Sequence, residues 1–142
     1  MSGTDVEEIR QLLARYCHAG DSLDSDAFAD CFTDDAVIIA NGVRSVGQDA
    51  VRASVEAMRP VYAATPLRHV TVNIVIDIDG DEAQASSYYM LFLTGADPRV
   101  LAIGTYRDRL RRVDGRWRLS ERVATSDGGS ALARLAQKSE SA

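Results

Sequence analysis

Residues 67–125 read as one uninterrupted series of strands, and this constrains the fold more than any other part of the chain. Four runs, about 67–78, 82–95, 99–113 and 116–125, are rich in β-branched and aromatic residues. They are separated only by Gly80, Asp97-Pro98 and Asp114-Gly115. Connections this short force each strand to pair antiparallel with the one before it. Strands this long twist, and a twisted sheet with one apolar face must cover that face with something. The cover has to come from the first half of the chain, since residues 126–142 are small and polar.

The first half supplies helices. Thr4-Asp5-Val6-Glu7 has the form of a capping box, and Val6, Ile9, Leu13, Tyr16 and Gly20 follow at spacings of three and four, with Gly20 as the expected stop. Asp24 or Ser25 caps a short second helix whose inner face is Phe28, Cys31 and Phe32. Thr33-Asp34-Asp35 reads as a turn. Ala36–Ile39 and Val43–Val46 form a hairpin around Asn41-Gly42, and 47–62 reads as a third helix with Val51, Val55 and Met58 inward. Residues 131–137 have the composition for a further turn or two of helix. Helices early and strands late give an α+β domain over residues 1–125, with a polar tail at 126–142. A bent sheet folded over a helix encloses a cone, and its inside is the natural pocket.

Several partner classes are disfavoured. The 142 residues carry a net charge of −5, against the basic surface that nucleic acid needs. No apolar run approaches the length of a membrane span, and MSGTDVEEIR lacks the features of a secretion signal. Cys17 and Cys31 are expected as reduced core thiols, so the expected compartment is the cytoplasm. Two histidines and two cysteines give no metal-ligand cluster, and no glycine-rich nucleotide motif is present, so neither metal nor cofactor is expected.

One strand carries an anomaly. In LRHVTVNIVIDID, alternation puts Val70, Val72, Ile74, Ile76 and Ile78 on one face, and His69, Thr71, Asn73, Val75 and Asp77 on the other. An imidazole, a hydroxyl and an amide in a row face either water or a pocket. If they face a pocket, the valine–isoleucine face is the convex one. An apolar patch of that size is expected to be buried against a second copy, in a homodimer or homotrimer.

The blocks IRQLLARYCHAGDSLDSDAFADCFTDDAVI (9–38), VGQDAVRASVEAM (46–58), LRHVTVN (67–73) and GTYRDRLRRVDGRWRLSERV (104–123) together resemble the SnoaL-like, NTF2-like superfamily. The likeness is to the branch of scytalone dehydratases, bile-acid dehydratases and dehydrochlorinases. It implies an NTF2-like cone, a curved antiparallel sheet wrapped over three N-terminal helices. It also implies a catalytic set of Tyr16, Asp21 and His69, in which the carboxylate orients the imidazole. Arg122, near the end of the last strand, matches an arginine that helps a leaving group depart. Strict alternation, however, sets Arg122 opposite Trp117, so both face inward only if a bulge intervenes. Asn73, Tyr88 and Phe92 are further candidates for the pocket wall. This chain has no carboxylate in Ser87-Tyr88-Tyr89-Met90-Leu91-Phe92, where the bile-acid dehydratases have an acid. The expected activity is that of a cofactor-independent lyase or isomerase, foremost a dehydratase, acting on a small, largely apolar, oxygenated ring compound. A polyketide cyclase is one alternative. Another is a non-catalytic ligand-binding or assembly subunit like the β-subunits of ring-hydroxylating dioxygenases.

Overall fold

The computed structural model describes residues 3–128. In chain order it contains α1 (Gly3–Asp21), α2 (Ser25–Asp30), β1 (Phe32–Ala40), β2 (Val43–Val46), α3 (Gln48–Ala64), β3 (Leu67–Asp79), β4 (Glu82–Leu93), β5 (Arg99–Val113) and β6 (Arg116–Ser126). The possible helical turn at 131–137 lies outside the described residues. The strands form one six-stranded sheet in the order β2-β1-β6-β5-β4-β3. Every pairing is antiparallel except that of β1 with β6, which is parallel. The expected meander is therefore β3 to β6. The Asn41-Gly42 hairpin is added beside β6, with both turn residues at positive φ as its geometry requires.

The helices lie on one face of this sheet. Ile9 and Leu13 of α1, Phe28 of α2, Val51 and Val55 of α3 and Phe32 of β1 meet Leu110, Trp117 and Leu119 of the sheet. Ala83 and Ala85 face the same core from β4, and their small side chains leave room for the helices. At Gly104 there is no room at all. A Cβ there would collide with the Tyr89 ring and with the Thr125 carbonyl oxygen. The missing side chain lets Tyr89 lie across β5 and stack on Tyr106, with ring centroids 4.6 Å apart.

Two local expectations are corrected. α1 does not stop at Gly20. It ends in a Schellman turn with Leu23 at φ 57°, closed by Asp24 N–H to the Ala19 carbonyl and Leu23 N–H to the Gly20 carbonyl. Gly20 is helical and faces the Phe28 ring. Thr33-Asp34-Asp35 is not a turn either; it lies within β1, where the register against β6 is irregular between Phe32 and Val37.

Two bulges reset the alternation on which the sequence reading depended. In β3, Val72 pairs with Tyr88 and Val75 with Ser86, so Asn73 and Ile74 together oppose Ser87. Asn73 takes the left-handed conformation, φ 55°, which asparagine tolerates better than most residues. The faces therefore switch in mid-strand. His69 and Thr71 point inward before the bulge; Ile74, Ile76 and Ile78 pack on the core after it. Asn73 is exposed and is not a pocket residue. The expected single apolar face from Val70 to Ile78 does not exist. In β6, Arg109 pairs with Glu121 but Leu110 with Leu119, so Ser120 is the extra residue. Trp117 and Arg122 both point inward as a result, at 4% and 0% exposure.

Candidate active site

Asp21 is the last residue of α1, where the negative end of the helix dipole disfavours a carboxylate. Three hydrogen-bond donors offset that placement. The His69 backbone N–H donates to Asp21 Oδ2 at 3.0 Å. The His69 ring is in contact through Nδ1, 2.8 Å from Asp21 Oδ1. The Tyr62 hydroxyl donates to the same oxygen at 3.1 Å. β3 is an edge strand, and the His69 amide points away from β4. One carboxylate thus holds both the backbone and the side chain of a single residue, which fixes the rotamer of the imidazole. Both side chains are mostly buried, 20% exposed for His69 and 14% for Asp21.

The network assigns the tautomer. A carboxylate only accepts, so the contact at Nδ1 places the proton there. Burial, and then the charge of Asp21, push the Tyr62 phenol well above its ordinary pKa, so it too remains a donor. In the neutral ring Nε2 is then a bare lone pair, with no hydrogen-bond partner among the described residues. It belongs to a cleft of about 930 Å³ between the end of α1, the last turn of α3 and the start of β3. Leu13, Leu67 and Ile74 contribute apolar wall, and Thr71, Cys17 and Tyr62 contribute polar edges. Thr71 Oγ1 lies 3.3 Å from Cys17 Sγ, and burial raises the pKa of that thiol. Among the described residues, no group of three or more His, Cys, Asp or Glu is placed to hold a metal ion.

Tyr16 and Arg122 are together, but not at this dyad. Arg122 is fully buried and binds Asp108 with two hydrogen bonds, Nε to Oδ1 at 2.7 Å and Nη2 to Oδ2 at 2.8 Å. Its guanidinium lies 4.2 Å from the Tyr16 ring centroid and 3.7 Å from that of Tyr106. Burial alone would lower its pKa; the Asp108 carboxylate reverses this and holds it above the ordinary value. Nη1 has no hydrogen-bond partner. Burial also raises the pKa of Tyr16. This cluster sits within the fold, and neither residue lines the cleft of His69.

Tyr88 and Phe92 are likewise misplaced by the sequence reading. Leu91 and Tyr89 are the inward residues of β4, at 1% and 6% exposure. Tyr88, 53% exposed, and Phe92 share the opposite, outer face. The residue that sequence reasoning missed is Tyr62. A signal for it exists, because it continues the inward stripe of α3 one turn beyond Met58 and two turns beyond Val55.

A SnoaL-like domain model matches residues 2–123. The chain belongs to the SnoaL-like domain family. Several solved structures share its fold. An aspartate-to-asparagine variant of a protein of unknown function from Mycobacterium tuberculosis is 26% identical, with a TM-score of 0.82 over 97% of this chain and 88% of that one. A putative aromatic ring hydroxylase from Novosphingobium aromaticivorans is 26% identical, with a TM-score of 0.75 over 95% and 99%. A putative scytalone dehydratase from the same organism is 21% identical, with a TM-score of 0.74 over 87% and 85%, a likeness of fold. These and other neighbours include cystatin-like and NTF2-like folds, to which this SnoaL-like chain conforms. No curated protein matches it. No helix among the described residues is long and apolar enough to cross a membrane.

Proposed function

We propose that this SnoaL-like protein is a cofactor-independent lyase or isomerase, foremost a dehydratase, and that His69 is its base. The observation that carries this reading is the 2.8 Å contact between Asp21 and His69 Nδ1, with Nε2 left bare at a cleft. Nε2 takes a proton from the carbon beside a carbonyl. The electrons of that C–H bond form the new double bond as the neighbouring C–O bond breaks. The imidazolium then returns its proton to the departing hydroxide, so the net loss is one water and the enzyme is restored. Asp21 stabilises the imidazolium in between. Tyr62, kept protonated, fixes the second lone pair of Asp21 Oδ1 and so holds the carboxylate in line. The partly apolar walls suit a small oxygenated ring compound. A positioned base of this kind contributes about 10²- to 10⁴-fold. Tyr16 and Arg122 shape the interior behind the dyad and are not assigned a step.

The test is turnover of hydroxylated cyclic ketones by wild type and His69→Ala, with loss of one water read by mass spectrometry. His69→Ala is expected to keep its fold and lose about two orders of magnitude or more in kcat. Retention of wild-type turnover would refute the proposal.

A further inference from the structure

Three clefts among the described residues differ in charge. The largest, about 1120 Å³, lies beyond the other side of α1 and sets Glu7, Glu8, Asp24 and Asp30 against Arg15 and Arg116. The smallest, about 520 Å³ beside the β3–β4 turn, sets Asp77, Asp79 and Glu82 against Arg109 and Arg111. Both have an acidic surplus, as expected of a chain with net charge −5. The cleft of His69 is the reverse. Its cations are Arg10, Arg59 and Arg68, and its one carboxylate is Asp21, already engaged by three donors.

Within this cleft the three arginines differ in their partners. Arg59 is held by Glu56 and by the Leu23 carbonyl. Elsewhere arginines divide: Arg52 pairs with Asp26, Arg111 with Asp35, Arg112 with Asp5 and Asp81, and Arg116 with Asp30, whereas Arg15, Arg44, Arg99, Arg107 and Arg109 have no ion pair among the described residues. Arg10 of α1 and Arg68 of β3 make no ion pair or hydrogen bond among the described residues. Two free guanidiniums from different elements therefore flank the mouth of a cationic cleft on an acidic protein. Opposed walls of low dielectric concentrate such a field over the opening.

We propose that the substrate of this cleft carries an anionic group, a carboxylate or a phosphate, set away from its reacting carbon and received at the rim by Arg10 and Arg68. The inference rests on reading the cleft as the reaction site. The ring enters towards Leu13, Leu67 and Nε2 of His69, and the anion stays in the solvated mouth. Guanidinium forks suit either oxyanion.

Calorimetric titration of the whole protein with 1-naphthol, 1-naphthoate and 1-naphthyl phosphate tests this. The anions are expected to bind about two- to thirtyfold more tightly than the neutral ring, as two partly solvated charge contacts allow, with the margin shrinking in high salt. Arg10→Glu and Arg68→Glu should remove the margin and leave 1-naphthol unchanged. Arg44→Glu, on β2 at the far edge of the sheet, is the control for net charge and should leave it intact. The tighter of the two anions identifies which group the rim receives. The proposal is overturned if the naphthol binds as well as the anions, if none of the three binds, or if Arg44→Glu has the same effect as the rim variants. His69→Ala should keep the preference, so the rim and the base can fail separately.

Discussion

Asp21→Asn separates the chemistry of the dyad from its packing, because it changes charge and donor pattern at almost constant volume. The native carboxylate accepts from the His69 amide, from Nδ1–H and from Tyr62. An asparagine has one oxygen and one NH2 for the same three donors. If its oxygen faces Nδ1–H and Tyr62, its NH2 meets the His69 amide donor to donor, which costs about 1–3 kcal/mol of stability. If its NH2 faces Nδ1 instead, the ring must carry its proton on Nε2, and the base is lost. Thermal unfolding should therefore fall by several degrees, at about 4 °C per kcal/mol for a domain of this size. Turnover should fall by about two to four orders of magnitude, because the imidazolium also loses its counter-charge. The tautomer can be read without a substrate. The chain has only two histidines, His18 and His69, so long-range ¹H–¹⁵N spectra of the rings assign each one. The expected result is Nδ1–H on His69 in the wild type and a shift towards Nε2–H in the variant. A wild-type His69 already protonated on Nε2 would refute the reasoning, since the lone pair at the cleft would then not exist.

Arg122→Met should cost about 3–5 kcal/mol by leaving Asp108 buried and unpaired, and Arg122→Met/Asp108→Leu should cost less than Arg122→Met alone; chemical denaturation reads both, and a double variant weaker than the single would contradict the pairing. Gly104→Ala should cost about 1–3 kcal/mol or more because the β6 backbone at Thr125 must shift and the Tyr89 ring must leave its stack on Tyr106, the second of which near-ultraviolet circular dichroism would report. The outer face carries Val70, Tyr88, Val100 and Ile103 exposed, with Met90 between Val70 and Ile103 across the strands. This block across β3–β5 replaces the row once expected on β3 alone. Self-association through it should give a dimer or trimer in sedimentation that Ile103→Asp dissociates, and a wild-type monomer of 15.4 kDa at micromolar concentration would rule it out.

The turns were legible in the sequence because they depend on local chemistry. Asn41-Gly42, Asp114-Gly115 and the Asp24 cap are found where their φ values and hydrogen bonds demand them. Asp21 and His69 were legible through spacing shared with a family, and no periodicity alone would have paired them. What failed was alternation carried too far. Asn73 was assigned to the pocket by counting in twos, yet a bulge is set by how a strand meets its neighbours and leaves little trace in its own residues; in β4 the alternation holds, and Tyr88 and Phe92 lie on its outer face because Tyr89 and Leu91 take the inner one. The count through Trp117 and Arg122 did flag the need for such a bulge, because two bulky inward groups at odd spacing conflict visibly. Tyr62 lies beyond Pro60, a residue that in sequence reads as a helix breaker, yet α3 continues through it to Ala64.

The bulge at Asn73 and Ile74 also bears on how such a protein diverges. It divides β3 into a chemical half, residues 67–72, and a structural half, 74–79. Substitutions in the first half can retune the cleft while the isoleucines of the second keep their hold on the core. Loss of one residue at the joint would leave a single residue opposite Ser87 and both halves facing as they do. Pairing at full length without the bulge would instead turn the isoleucines outward and Asp77 inward. A lineage bearing this architecture can therefore shed the extra residue at the joint, while Leu67 and His69 before it and the isoleucines after it keep their places.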